Sequence, residues 1–208
     1  RSQSLVPPLW LFSRSELKTR NVARYLAYFS GLGCGFIMVE IVLIQQFSLL
    51  LGDPVYTFAI VLAAMLLFTG VGSYLSQKYR VGDRRLLQVA ISALVVLIVS
   101  ASFGLAPLLR TAVVLPMFAR IVLCAVLMLP LGILIGVPFP SGIRIMGREA
   151  PSLIPWAWGM NGFFTVIGSV LALMLSMMIG FREVLCMAAG IYLISMLVML
   201  RATRSDGS

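Results

Sequence analysis

The 208-residue sequence contains no histidine, only three cysteines and seven acidic residues, and charged residues make up 11% of it. Without imidazole, zinc hydrolysis, histidine-ligated haem and Ser-His-Asp catalysis lose their usual ligand or base. Cys34, Cys124 and Cys186 stand alone, each in or beside an apolar run, so there is no paired-cysteine framework and no thiolate metal spacing. A Walker lysine and a pair of catalytic carboxylates are equally missing. These absences point to a chain with no cofactor, no metal and no catalytic centre of its own. A soluble domain usually carries about 25% charged residues, and this chain has too little polar surface to cover such a fold.

What the sequence has is apolar length. Hydrophobic residues make up 61% of it, with 12 Met, 18 Gly and 10 Pro. Gly and Pro are tolerated in membrane helices. Six apolar segments run over about 25–51, 55–76, 86–109, 112–135, 156–179 and 184–200. Each approaches or exceeds the roughly 17–25 residues that cross a bilayer as a helix. The breaks carry turn signals: Gly52-Asp53-Pro54, the QKYRVGDRR stretch, Arg110-Thr111, a long Gly136–Pro155 segment, and Gly180–Glu183. The expected fold is an all-α, polytopic integral membrane domain of about six transmembrane helices over residues 25–201. Residues 1–24 form a cytoplasmic or interfacial lead-in and residues 202–208 a cytoplasmic tail. Within the lead-in, Pro7-Pro8 and Trp10 suggest an interfacial anchor. The opening Arg1, in place of Met, is the pattern of a processed chain or of part of a longer one.

The net charge of +9 sits in the short breaks and forms no basic face with interleaved aromatics, which argues against a nucleic-acid partner. With six spans and a cytoplasmic amino terminus, thirteen bases fall on the cytoplasmic side: Arg1, Arg14, Lys18, Arg20, Arg24, Lys78, Arg80, Arg84, Arg85, Arg144, Arg148, Arg201 and Arg204. Arg110 and Arg182 fall on the other. Such asymmetry is the positive-inside pattern, and it places both termini in the cytoplasm.

Polar residues inside the apolar runs are the candidate sites. Glu40 lies fifteen residues past Tyr25, close to mid-membrane, where an ionised carboxylate costs several kcal/mol. It should be protonated, paired, or turned toward protein. On a helix Glu40 falls within about 20° of Gly33, while Gly31 and Gly35 lie on the opposite side as a small-xxx-small pair suited to close helix contact. Arg120, eight residues into the fourth run, is the candidate partner of Glu40. Asn161, Thr165, Gly168 and Ser169 recur at helical spacing, and Thr69, Gly70, Gly72 and Ser73 form a comparable cluster. Both read first as packing seams. In the Gly136–Pro155 segment, Pro138 and Pro140 disfavour regular helix and predict a shaped loop or re-entrant element. Pro116 and Pro130 make the fourth helix a candidate for bending.

The Gly31, Gly33 and Gly35 repeat also invites a dinucleotide reading. Such a fingerprint needs a strand before it and a helix after it in an alternating pattern. Here it is continuous with YLAYFS upstream and FIMVEIVLIQQ downstream, so the glycines belong to one helix.

The combination GLGCGFIMVEIVLIQQFSLLLGDPVYTFAIVLAAMLLFTGVGSYLS, GVPFPSGIR and PWAWGMNGFFTVIGSVLA resembles the membrane portion of bacterial proteins fused to a spermidine-synthase-like domain. The likeness spans roughly Tyr25 to Phe181. It marks Glu40, Gln45, Gly52, Pro54, Gly70, Gly72, Ser73, Pro138, Pro140, Gly142, Arg144, Pro155, Trp156, Trp158, Asn161, Gly162 and Gly168 as signature positions, none of them catalytic. By resemblance, the location is a bacterial inner membrane and a soluble Rossmann-like domain lies upstream. Three functions follow as expectations. The first is a membrane scaffold or accessory subunit among other transmembrane subunits. The second is a transporter-like bundle with Glu40, Arg120 and Asn161 along its path. The third is the anchor of a synthase-like or methyltransferase-like enzyme.

Overall fold

The computed structural model describes residues 22–78 and 82–204. Most of the lead-in, including Pro7-Pro8 and Trp10, lies outside these residues, as does the end of the tail. The described residues are all α. In order the elements are α1 (Val22–Leu51), α2 (Pro54–Lys78), α3 (Asp83–Ala112), α4 (Met117–Gly136), the short α5 (Pro138–Glu149), a 3-10 turn at Pro151–Leu153, α6 (Ile154–Met178) and α7 (Phe181–Arg204). Six of these segments, with α4 and α5 taken as one, are long and apolar enough to cross a membrane. Helix is the expected answer to such sequence, because in hydrocarbon every backbone N–H and C=O must be satisfied within the segment.

The turns follow local chemistry. Gly52, at φ 79°, ends α1 in a conformation that side chains disfavour. Asp53 then caps α2, its Oδ1 accepting from the amides of Val55 at 2.8 Å and Tyr56 at 3.0 Å, with Pro54 as first helical residue. Gly180, at φ 102°, makes the equivalent break before α7.

Two expectations about proline are corrected. The fourth helix begins at Met117, not Ala112, because Pro116 takes an extended ψ of 153° outside the helix, while α3 continues through Pro107 to Ala112. Of the two prolines, only Pro130 is inside α4. Pro138 and Pro140 do not break the chain into a loop. They occupy the first turn of α5, where a missing N–H costs nothing, and the helix runs on to Glu149.

Helix α1 is the interior pillar. Its most apolar stretch is 56% buried, against 22% for α2 and 17% for α6, which therefore ride on the outside. α1 packs most extensively on α6 and α7, α2 packs on α4, and α3 on α7. One very close seam is between α2 and α4. A methyl group at Gly72 would collide with the Ile133 carbonyl, and one at Gly136 with the Thr69 carbonyl. These helices touch backbone to backbone, the contact that small residues permit in membranes. Gly72→Ala or Gly136→Ala should therefore destabilise the domain by about 1–3 kcal/mol, the usual cost of overpacking. Gly104→Ala, where a methyl meets nothing within 4 Å, should be neutral or mildly stabilising. Thermal melts in detergent check the contrast.

Candidate functional site

Apart from Glu40, the charged side chains in contact with neighbouring helices lie toward the two ends of the bundle. At one end Arg24 Nη1 donates to the Arg201 carbonyl at 3.1 Å, joining the start of α1 to α7. Tyr25 donates to Glu149 of α5 at the same end. Arg144 Nε bonds Asp83 Oδ1 at 2.7 Å and Arg148 Nη2 bonds Asp83 Oδ2 at 2.6 Å, tying α5 to the start of α3. Arg144 also donates through Nη2 to the Ser76 carbonyl at 3.1 Å and Ser141 Oγ at 3.0 Å. One guanidinium thus holds α2, α3 and α5 together. Asp83 was visible in the sequence only as a lone acid among bases, with nothing to mark a partner sixty-one residues away.

The opposite end holds Arg120, and the expected Glu40–Arg120 pair does not form. Arg120 donates through Nη1 to the Leu50 carbonyl at 3.0 Å, through Nε to Leu115 at 2.8 Å, and through Nη2 to Val113. It serves the orphaned carbonyls where α1 and α3 end. The late start of α4 explains the difference: Arg120 is in its first turn, whereas Glu40 is eleven residues before the end of α1, about 16 Å deeper at 1.5 Å per residue. Arg182, at the same end, lies 4.0 Å above the ring of Phe103.

Glu40 itself is 5% exposed, and its Oε1 has no hydrogen-bond partner. Gln45 Oε1 and Ser176 Oγ are buried and unpartnered in the same way. Gly31 and Gly35 both meet α7, the first against the Ser195 hydroxyl and the second with its missing methyl 2.9 Å from the Tyr192 ring. Gly33 lies under the Asn161 carbonyl. Asn161 Nδ2 donates to the Phe29 carbonyl at 3.1 Å, so this side chain pins α6 to α1. Pro138 contributes its carbonyl, which accepts from Tyr28 Oη at 2.8 Å. An edge-to-face series, Tyr28–Phe29–Phe139–Trp158, with centroids 5.0, 5.3 and 4.6 Å apart, links α1, α5 and α6. The tyrosine hydroxyl, a polar tip inside an apolar run, was the available sequence signal for this contact.

Beside α1 is a groove of about 350 Å³. Leu32 and Phe36 of α1 form its floor. Leu66, Thr69, Gly70 and Ser73 of α2 form one wall, Asn161 belongs to the other, and Phe139 and Pro140 sit at its top. Glu40 does not line it, although it lies one helical turn beyond Phe36. Among the described residues no group of three or more acids or cysteines is placed to hold a metal ion.

Replacing Arg120 with Met should lower stability by about 1.5–3 kcal/mol, the worth of hydrogen bonds to a charged group. It should also speed amide exchange over 113–115. Arg110→Met, on the exposed surface, should change stability by no more than about 0.5 kcal/mol. Exchange mass spectrometry on the detergent-solubilised protein reads both effects.

No protein-family model, curated protein or solved structure matches this chain.

Proposed function

We propose that this chain is a membrane-embedded scaffold or accessory domain without a catalytic centre, seated in a bacterial inner membrane with its basic end and both ends of its helical domain in the cytoplasm. The observation that carries this reading is the close packing of α1 on two of its neighbours. Gly31 and Gly35 are filled by α7, Gly33 by Asn161 of α6, and Gly168 by Cys34 and Ile37, which locks α1 against α6 and α7 and opposes sliding along either contact. Outward-facing α2 and α6 offer apolar surface to lipid or to neighbouring transmembrane subunits. The same architecture suits an anchor for a soluble synthase-like domain, the arrangement implied by the sequence resemblance.

One observation favours the transporter-like alternative: the buried, unpartnered Glu40 Oε1 near mid-membrane. Intramembrane carboxyls of this kind mark proton or ion pathways in many bundles. Thiol accessibility separates the readings. In a variant lacking Cys34, Cys124 and Cys186, single cysteines at Val39, Glu40, Leu43 and Phe47 should resist a membrane-impermeant maleimide from both sides. Labelling of that face from either side would sink the scaffold reading and favour transport.

Orientation has its own test, resting on the segregation of Arg24, Lys78, Arg144, Arg148 and Arg201 to one end. A periplasm-active phosphatase fused at Asp53 or Gly180 should be active, and a cytoplasm-active fluorescent protein fused after Arg204 should fluoresce. The reverse pattern would invert the assignment.

A further inference from the structure

The groove beside α1 continues toward the basic end. On α2, Ser76 and Gln77 extend the face that carries Thr69, Gly70 and Ser73, and they line a second cavity of about 580 Å³. On α5, Pro140 borders the groove, while Arg144 and Arg148, one and two turns further along, border the second cavity. The two cavities are stacked along one α2–α5 strip, mainly apolar below and cationic above.

Depth fits an amphiphile. At 1.5 Å per residue Ser73 lies about 7.5 Å and Leu66 about 18 Å below Lys78, so the strip runs from headgroup level to the middle of the bilayer. Trp156 and Trp158, 45% and 61% exposed at the start of α6, stand at the height where tryptophan belts meet headgroups. Size excludes a partner helix as occupant: one helical turn about 10 Å across and 5.4 Å long sweeps roughly 400 Å³, more than the whole groove. Part of a single hydrocarbon chain has the volume to lie in it. α2 and α6 make no substantial contact with each other, and residues of both line the groove.

Charge selects the headgroup. Arg144 and Arg148 share one carboxylate, Asp83, so the trio carries two positive charges against one negative, net +1. Arg148 is bonded to Asp83 through Nη2 while its side chain remains 72% exposed. Guanidinium groups match phosphate oxygens bidentately, and basic pockets between membrane helices at the cytoplasmic surface suit anionic headgroups.

We propose that this strip binds one anionic phospholipid, with an acyl chain in the groove between α2 and α6 and its phosphate against Arg144 and Arg148. A lipid tail leaves hydrocarbon for hydrocarbon, so the groove contributes shape and the arginines contribute selectivity. Asp83 holds the guanidinium pair in place, and Arg144, anchored on Ser76, sets the distance between phosphate and chain.

Native mass spectrometry of the full chain in detergent tests this, titrated separately with dioleoylphosphatidylglycerol and dioleoylphosphatidylcholine. One phosphatidylglycerol should be retained about tenfold more tightly than phosphatidylcholine. Arg148→Gln should narrow that preference by about fivefold, the worth of one basic residue near an anionic headgroup. Gly70→Phe fills the groove from a position where a side chain meets open space, and it should abolish retention of both lipids. Equal retention of the two lipids by the unaltered protein, or an unchanged preference in both variants, overturns the proposal. If Gly70→Phe melts early, the Arg148→Gln result alone decides.

Discussion

Helix α1 can occupy the centre of this bundle only because three of its residues have no side chain. Lipid tails are as apolar as leucine, so helices in a membrane gain little from burying apolar surface against one another. They gain from close contact, which requires backbones to approach. Gly31 and Gly35 admit Ser195 and Tyr192 of α7, and Gly33 admits the backbone of α6 at Asn161. Packing of α6 and α7 on opposite flanks of α1 depends on those positions, and so does the reach of Asn161 to the Phe29 carbonyl. The α2–α4 pair repeats the solution with Gly72 and Gly136.

Around this pillar, polar groups are distributed by depth. Arginines serve the ends: Arg144 draws α2, α3 and α5 together at one surface, and Arg120 satisfies the carbonyls at the opposite one. Both act through geometry as much as charge, since a planar fork of donors reaches several acceptors at once. The interior keeps Glu40, Gln45 and Ser176 without visible partners. Glu40 takes part in neither of the ion pairs among the described residues. That placement is why scaffold and transporter readings diverge over a single residue.

The functional readings draw on different parts of the molecule. Close packing of α1 on α6 and α7 supports the scaffold, the orphaned Glu40 oxygen supports transport, and the stacked groove and arginine cavity support lipid recognition. Lipid recognition is compatible with either of the other two. A lipid lodged between α2 and α6 would brace the two least buried helices at the surface where a neighbouring subunit would meet them.

Much of this was legible in the sequence because it depends on local composition. Apolar length and the need to satisfy the backbone within each segment determined six spans, and the bases clustered in the breaks determined that one end would be basic. The glycine repeat could be recognised as a contact surface from its continuity with apolar residues on both sides. Pairings between distant residues were not legible. Nothing local told Gly31 that its neighbour would be Ser195, or Arg144 that Asp83 would be within 2.7 Å. Arg120 shows the reason most clearly: Pro116 delays the start of α4 by five residues, which leaves the side chain in the first turn, beside the ends of α1 and α3 and well short of the depth of Glu40. Pro138 and Pro140 likewise read as helix breakers until the end of α4 placed them in the first turn of the next helix. Sequence alone determined which segments are long and apolar enough to cross a membrane and which end is the more basic. Only the tertiary structure decided which faces meet, because that choice rests on shape and depth shared between residues far apart in the chain.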